Sequence, residues 1–600
     1  MAGSGREFTI AVIGAGPRGT SFMERLLALV ERTDARTAQR LRLLVIDPAP
    51  HGPGRVWDPE QSPLYLMNTP ASYPTAAPSD ETLEHLPASS VSISFLVWAR
   101  QNGLTYEATD YPTRADYGRY LRWLQEMTTE RLQDAGVVVK HLLTEVTALS
   151  PAADGYSLTL ADREDPMEVN AAVLALGHLP AHLTGGAEQL ARSAAELGLH
   201  YIPASVPTDV DYASFPAGET VLVRGMGLNF FDLMIQVTVG RGGEFVPVPG
   251  APAGRTLEYR PSGDEPHLAA GSRRGTPYRA KTVVPGFVPE GIDLVHLTEP
   301  VLAELLDQHG RLDFREHLWP LIEADVRHTY ERFGGTSPQD FDIRTLARPF
   351  DGRSFRSASE YQTAMLEFLE HDAATSAAGT ASPEKMAIAA LHAARMRIKP
   401  LLTAHQISNA SRLHDVEGWF ESLVEGLASG PPLQRIEELA ALARAGVVEF
   451  LGPDPVYGVD REHGLFLADS PTVSGARYSA AHMVEAMMPP NKIPASDSPL
   501  VHSLLQQHLA YPAGLVVSDH PGERVLHKGF AVTEAPYRLR GEKSSTEAPL
   551  YVLGLQLSSV HWGTAIAAEA GGDPAASART LLDAQEAAAD ILRRLTEDAA

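Results

Sequence analysis

Thr9-Ile10-Ala11-Val12-Ile13-Gly14-Ala15-Gly16-Pro17-Arg18-Gly19 reads as a short buried strand, a glycine turn and the start of a helix, the arrangement that holds a dinucleotide. Each glycine has its own physical task. Gly14 lets the chain turn sharply, Gly16 leaves room for a pyrophosphate against the backbone, and Gly19 lets a helix from Thr20 to about Glu31 pack close to the strand. Unpaired amides at the helix start then face the phosphates. Downstream, Arg42-Leu43-Leu44-Val45-Ile46-Asp47-Pro48 is a second apolar run ending in a carboxylate, placed where adenosine ribose hydroxyls lie. Its distance from Gly14 exceeds the usual roughly 20 residues, so the first crossover carries a longer helix or loop. The competing reading is a cofactor-free turn with Asp47 as a solvated strand end.

Composition narrows the field. A chain of 600 residues exceeds what one core serves and predicts two or three domains. Cysteine is absent, which excludes disulfides, thiolate nucleophiles, iron–sulfur ligation and cysteine-zinc sites. A net charge of −25 argues against nonspecific nucleic-acid binding, and an acidic substrate would have to be met by local arginines. Met1 to Arg6 is short and polar, unlike a signal peptide, and no apolar run approaches the roughly 18 residues that span a bilayer. The expectation is a soluble cytoplasmic protein that engages neither membrane nor nucleic acid, with a homodimer left open. His51, His178, His527 and His561 lie near cofactor-like turns, yet among 22 histidines there is no HExxH or repeated carboxylate–histidine spacing, so no metal site is read.

Strand-like segments recur at 9–13, 42–46, 136–141, 156–160 and 171–176. Between them lies an arginine-bearing segment, Tyr111 to Tyr120 with Arg114 and Arg119, and a helix running on through Met127. Val173-Leu174-Ala175-Leu176-Gly177-His178-Leu179-Pro180 is a strand entering a glycine turn that proline stops from simply continuing. A second start follows at Thr220-Val221-Leu222-Val223-Arg224, running into Gly225-Met226-Gly227-Leu228-Asn229-Phe230-Phe231-Asp232. Phe230 replaces the third glycine, so the unit is either a second dinucleotide site or a vestigial α/β unit. Helical periods at 301–308, 361–370, 383–399, 415–427 and 433–446 mark an insertion, with Met396, Ile398, Leu401 and Leu402 as core and 373–382 as a loop. The last hundred residues return to strands at 525–530 and 550–555, the latter ending beside a cofactor at Gly554, before a helix from Pro574 to about Arg594.

The expected fold class is α/β, with two Rossmann-like dinucleotide-binding domains and a large, mainly helical insertion. Residues 1–205 are the first part of the first dinucleotide-binding domain and 206–290 the first part of the second. Residues 291–495 form the helical, substrate-side insertion, and 496–600 complete the first dinucleotide-binding domain.

Three readings stay open for Arg273, Arg274 and Arg279 in Gly271-Ser272-Arg273-Arg274-Gly275-Thr276-Pro277-Tyr278-Arg279: a solvated charge run, a site for a coenzyme phosphate, or a site for a substrate carboxylate. Asn68 carries an amide that both donates and accepts, flanked by Met67 and Pro70, and reads as a catalytic contact to a redox cofactor or else as a loop cap. Trp57 shields a ring or packs in a core. Tyr551 and Trp562 read as packing residues, and Ser558 to Thr564 as donors near a cofactor.

Together, GAGPRG, Gly54-Arg55-Val56-Trp57, Leu66-Met67-Asn68-Thr69-Pro70, Arg114 to Tyr120, the Gly177-to-Pro180 turn and the second GMG resemble the FAD/NAD(P)-binding flavoproteins related to class B monooxygenases. In layout the chain is similar to N-hydroxylating amine monooxygenases. In size and arginine loop it resembles the L-aspartate N-hydroxylases that make nitrosuccinate for natural-product pathways. The resemblance implies FAD on the first domain, hydride from NADPH (or NADH) on the second, and oxygen carried as a C4a-hydroperoxyflavin to the uncharged amine of a small amino acid, L-aspartate the named candidate. It further implies a cofactor set of Gly14, Gly16, Pro17, Arg18, Gly19, Asp47, Trp57, Asn68, Arg114, Gly177, Gly225, Gly227, Asn229 and Gly554, and a substrate-side set of Asn68, Arg273, Arg274 and Arg279. The alternatives are an NAD(P)H-dependent flavin oxidoreductase or oxidase, a monooxygenase of a carbonyl or sulfur substrate, and a flavin-binding interaction protein.

Overall fold

The computed structural model describes residues 6–79, 86–517, 524–542 and 547–597. Two five-stranded parallel sheets carry the molecule. From edge to edge the first runs Leu550–Val552, Ala171–Leu174, Phe8–Ile13, Leu41–Ile46 and Val138–Leu142. Its strands are apolar throughout because both faces are covered. Ile10 and Val12 join Phe22, Leu26, Ile591 and Leu595 on one side. Ala11 and Ile13, half a pleat away, join Leu149, Leu158, Val501 and Leu504 on the other.

The second sheet runs Val448–Phe450, His267–Gly271, Thr220–Arg224, His482–Glu485 and His200–Ile202, again all parallel. Val221 and Val223 face Phe230, Met234, Ile436 and Leu439. Phe230, where a third glycine was absent, is fully buried in that cluster and fills the space between helix and sheet. A third core belongs to the helices Glu299–His309, Trp319–Arg332, Pro383–Thr403 and Glu421–Ala428. Among the described residues no helix is long and apolar enough to cross a membrane.

Several local expectations shift. The span 291–495 is helical as far as Arg444, but it then supplies two strands of the second sheet, because a parallel sheet takes strands from wherever a crossover returns them. The loop expected over 373–382 is half helix: Ala358–Ala377 is continuous, with Ala373 and Ser376 buried, and only a short turn precedes Pro383. Alanine's helix propensity and that burial outweigh the small, polar composition. The closing helix begins at Arg579 rather than Pro574.

The two sheets are tied across their facing ends. Arg114 Nη2 donates to Asp232 Oδ2 at 2.6 Å and its Nε to Leu66 O at 3.2 Å, while the guanidinium lies 5.4 Å from the Tyr65 ring centroid. Asp232 belongs to the helix after the second glycine turn. Burial pushes its carboxyl up and Arg114 pulls it back down. Arg435 also donates to Leu64 O, and Arg55 approaches Asp209 at 3.5 Å. Breaking a buried pair from one side strands the other charge, at about 3–5 kcal/mol. Arg114→Ala is therefore expected to lower the unfolding midpoint strongly in chemical denaturation, and adding Asp232→Asn to recover part of the loss.

Candidate functional site

The first glycine turn leaves a slot bounded by backbone alone. Gly14 takes φ +96°, and its amide donates to Ile46 O at 2.9 Å; a side chain there would strike Ala175 O. A Cβ on Gly19 would strike Gly14 O, so helix and strand touch as the fingerprint requires. Gly16 differs. It lies in extended backbone at the helix N-cap, with Pro17 next, and the nearest atom to a Cβ built on it is Gly54 Cα at 3.7 Å. The fold tolerates a methyl there, in ordinary contact with Gly54; a ligand laid against the helix start is what would need the bare backbone. Nearby, Gly177 at φ +64° faces open space and His178 Nδ1 is buried without a partner. Burial and Arg55 hold that imidazole down to about 4, so it is neutral. Side-chain-free backbone, amides at a helix start and an orphaned ring nitrogen fit the pyrophosphate and ribityl portion of FAD.

Asp47 does not stand free at its strand end. Its Oδ2 accepts from Ala15 N at 2.7 Å and its Oδ1 from Ala49 N at 2.8 Å, so it braces the glycine turn. Arg18 turns away from the slot to Thr564 O and Ile566 O, and its aliphatic stem packs against Gly554. It thereby joins the helix start to the carboxyl-terminal strand end. Trp57 packs edge-on against Tyr117, with ring centroids 4.9 Å apart.

In the second unit Gly225 takes φ +115° and donates to Gly271 O at 2.9 Å, while Tyr278 lies over Gly227. Asn229 Nδ2 donates to Ser205 O at 3.2 Å. The register pairs Arg224 with Gly271, so Ser272, Arg273 and Arg274 leave the strand beside the glycine strand, where the 2′ substituent of a bound nucleotide is read.

The three arginines of that segment do not converge. Arg273 is exposed. Arg274 lies 5.0 Å from the Tyr278 ring centroid and donates to Ser422 O at 3.1 Å and Ser422 Oγ at 3.2 Å. Arg279 is buried against Asp372 Oδ1 at 3.1 Å and Leu346 O at 2.9 Å, and Lys385 reaches the same carboxylate at 2.8 Å. Burial alone would raise Asp372; Lys385 and Arg279 hold it below its usual value. Arg279 is thus committed to the frame. Arg114, too, is taken up in the brace described above, and Asn68 Nδ2 reaches Ser429 O at 3.4 Å beside a buried, unpartnered Thr69 Oγ1.

A second cluster escaped the sequence reading. His392, Arg395 and Lys399 lie on one face of the helix Pro383–Thr403. His392 and Lys399 line a pocket together with Tyr73, Met396, Gly554, Trp562, Ile566 and the Arg579–Asp583 ion pair, while Arg395 lies over the Trp562 ring and Lys281 lines a neighbouring pocket that shares His392. Arg395 is 3 % exposed, His392 6 % and Lys281 7 %. Arg395 Nε and Nη1 and His392 Nδ1 have no partner, Lys281 Nζ meets only Ala428 O at 3.1 Å and the Phe287 ring, and Lys399 Nζ meets Ala576 O at 3.2 Å. Among the described residues no carboxylate lies within ion-pair distance of Lys281, Arg395 or Lys399. Burial, then Arg395, lowers Lys281 well below its ordinary value and Lys399 to about 8, and burial with all three cations keeps His392 neutral. Unpaired buried cations of this kind call for an anionic ligand. The signal was present as a polar stripe at 392, 395 and 399 on a helix whose neighbouring face is Ala, Ile and Leu. Ile398, Leu401 and Leu402 are core as expected, whereas Met396 lines the cavity.

Comparison with known proteins adds four findings. A family model described as FAD-NAD(P)-binding matches residues 11–179. An L-aspartate N-monooxygenase (nitrosuccinate-forming) of Streptomyces davaonensis is 33% identical over 99% of this chain and 98% of its own length. A nitrosuccinic acid synthase of Aspergillus oryzae is 32% identical over 98% and 95%. A solved ornithine hydroxylase from Pseudomonas aeruginosa covers 99% of this chain at 11% identity with a TM-score of 0.44, too distant to carry an argument.

The two glycines of the first turn separate fold from ligand. Gly16→Ala is expected to leave the thermal transition of the apoprotein unchanged while the purified protein loses FAD, read from its absorbance. Gly14→Ala, strained at φ +96°, is expected to lower the transition itself.

Proposed function

This chain belongs to the family of the nitrosuccinate-forming L-aspartate N-monooxygenases, and from that membership we propose that it hydroxylates the amine of L-aspartate and carries it toward nitrosuccinate, with NADPH as reductant. It is a flavin-dependent monooxygenase with FAD and NAD(P)H as cofactors. The observation that carries the substrate assignment is the buried, carboxylate-free set of Lys281, Arg395 and Lys399, which suits a small molecule with two carboxylates.

Bound over the first glycine turn, FAD would supply the activation of oxygen. The rest falls to side chains. Arg395, with two unpartnered nitrogens, takes one carboxylate, and Lys399 the other. Positive charge on Arg395 and Lys399 disfavours the ammonium form of the substrate and frees its lone pair. Tyr73, Met396, Trp562 and Ile566 keep the space poor in water. Arg273, exposed beyond the strand next to the second glycine turn, meets the 2′-phosphate of NADPH.

An amino-acid panel with NADPH, oxygen and mass-spectrometric detection tests the reading: L-aspartate is expected to yield N-oxygenated products, and hydrogen peroxide alone across the panel would reject it. Arg395→Ala is expected to cost about 2–5 kcal/mol in substrate affinity, with the rate of flavin reduction unchanged. Arg273→Ala is expected to cost about 1.5–3 kcal/mol in NADPH affinity and nothing for NADH, read by titration. Succinate, lacking the amine, isolates the cation cluster. Because burial and Arg395, opposed by Asp583 and Glu569, bring Lys399 to about 8, it is charged below that pH and neutral above. Succinate binding measured by calorimetry is therefore expected to weaken as pH rises through 8.

A further inference from the structure

The cation-lined space has a neighbour. A smaller cavity lies under the segment 280–287 and shares one lining residue with the larger, His392. Both lie along one stripe of the helix Pro383–Thr403: Lys385, Ile388, Ala389 and His392 line the smaller, and His392, Met396, Lys399 and Thr403 the larger. Eighteen steps of about 1.5 Å from Lys385 to Thr403 give the pair a span of roughly 27 Å along a single helix face.

Its middle is closed by one aromatic side chain. Phe287 lies between Tyr73, with ring centroids 4.4 Å apart, and His392, at 5.0 Å, and its outer face carries the Lys281 ammonium at 3.7 Å. Phe287 belongs to a segment without helix or strand, next to Gly286 at φ +69° and with Val283 and Val288 exposed. No residue of the Gly225–Gly227 turn lines either cavity.

We propose that the smaller cavity is the access passage of the dicarboxylate substrate, with Phe287 as its movable partition, separate from the side on which the nicotinamide coenzyme docks. The proposal rests on the function given above. An amine nitrogen reaches a nitro group only through successive oxygen transfers, and each consumes a fresh reduced coenzyme. A site with one mouth would have to release its half-oxidised intermediate whenever the coenzyme is exchanged. Two mouths remove that conflict. Lys281, buried at the partition, gives an incoming carboxylate a first partner before Arg395 receives it.

The test uses the FAD-loaded enzyme and succinate, whose exchange is followed by NMR line shape and whose affinity by calorimetry. Ala389→Trp places an indole in the smaller cavity without touching Arg395 or Lys399; association and dissociation are expected to slow together by about tenfold or more, with Kd held within about twofold. Phe287→Ala is expected to speed both, and with L-aspartate to release a hydroxylamine into solution that the parent enzyme retains. Flavin reduction by NADPH stays unchanged in both variants. Unaltered succinate exchange in either folded variant overturns the passage, as does a change in Kd alone, which would make the cavity a binding subsite. A parent enzyme that binds succinate but does not oxygenate L-aspartate overturns the substrate reading and leaves the exchange test standing.

Discussion

Positive charge held away from water with no negative charge against it is the costliest arrangement in this molecule, and the frame around it is built to bear that cost. Each such cation carries a penalty of several kcal/mol even after relaxation. One carboxylate organises the response. Asp372 holds Lys385, at the start of the helix that bears Arg395 and Lys399, and through Arg279 and Ala280 N it also holds the segment that bears Lys281. Both carriers of the cluster are thus fixed by one carboxylate shared between two cations, while Lys281, Arg395 and Lys399 have no carboxylate at ion-pair distance among the described residues. On its far side the same helix is locked by Leu391, Ile398 and Leu402 into the core with Ile322 and Phe420.

The sequence was legible where backbone geometry is local. Gly14, Gly16 and Gly19 announce a close approach that no other residue allows, and the apolar runs at 9–13, 42–46 and 171–176 lie on neighbouring strands because a sheet covered on both faces needs them apolar. Distance along the chain hid the rest. Nothing local in 448–450 or 482–485 says that these strands lie on either side of the pair 220–224 and 267–271. Arg273, Arg274 and Arg279 look like one cluster in sequence, yet the loop carries them to solvent, to Ser422 and to Asp372 in turn.

The functional stripe was missed for a related reason. Histidine, arginine and lysine at 392, 395 and 399 among Ala, Met, Ile and Leu look like the wet side of an amphipathic helix, and periodicity alone does not say which side meets water. Only the surrounding elements decide it: Trp562 stacks beneath Arg395 at 4.8 Å, and Tyr73 and Phe287 close over His392. A charged face turned inward marks a ligand, whereas the same face turned outward marks nothing.

The edge strand Leu550–Val552 pairs with Ala171–Leu174 from nearly four hundred residues further along the chain. A ribosome extends a chain at about 5–20 residues per second, so the amino-terminal strands emerge tens of seconds before their last neighbour exists. Until then Leu174 and Val173 present an unpaired parallel edge, and the turn at Gly554 that abuts Arg18 is not yet made. The first sheet accordingly stays incomplete until synthesis is nearly finished, and its nascent edge is open to edge-to-edge association while it waits.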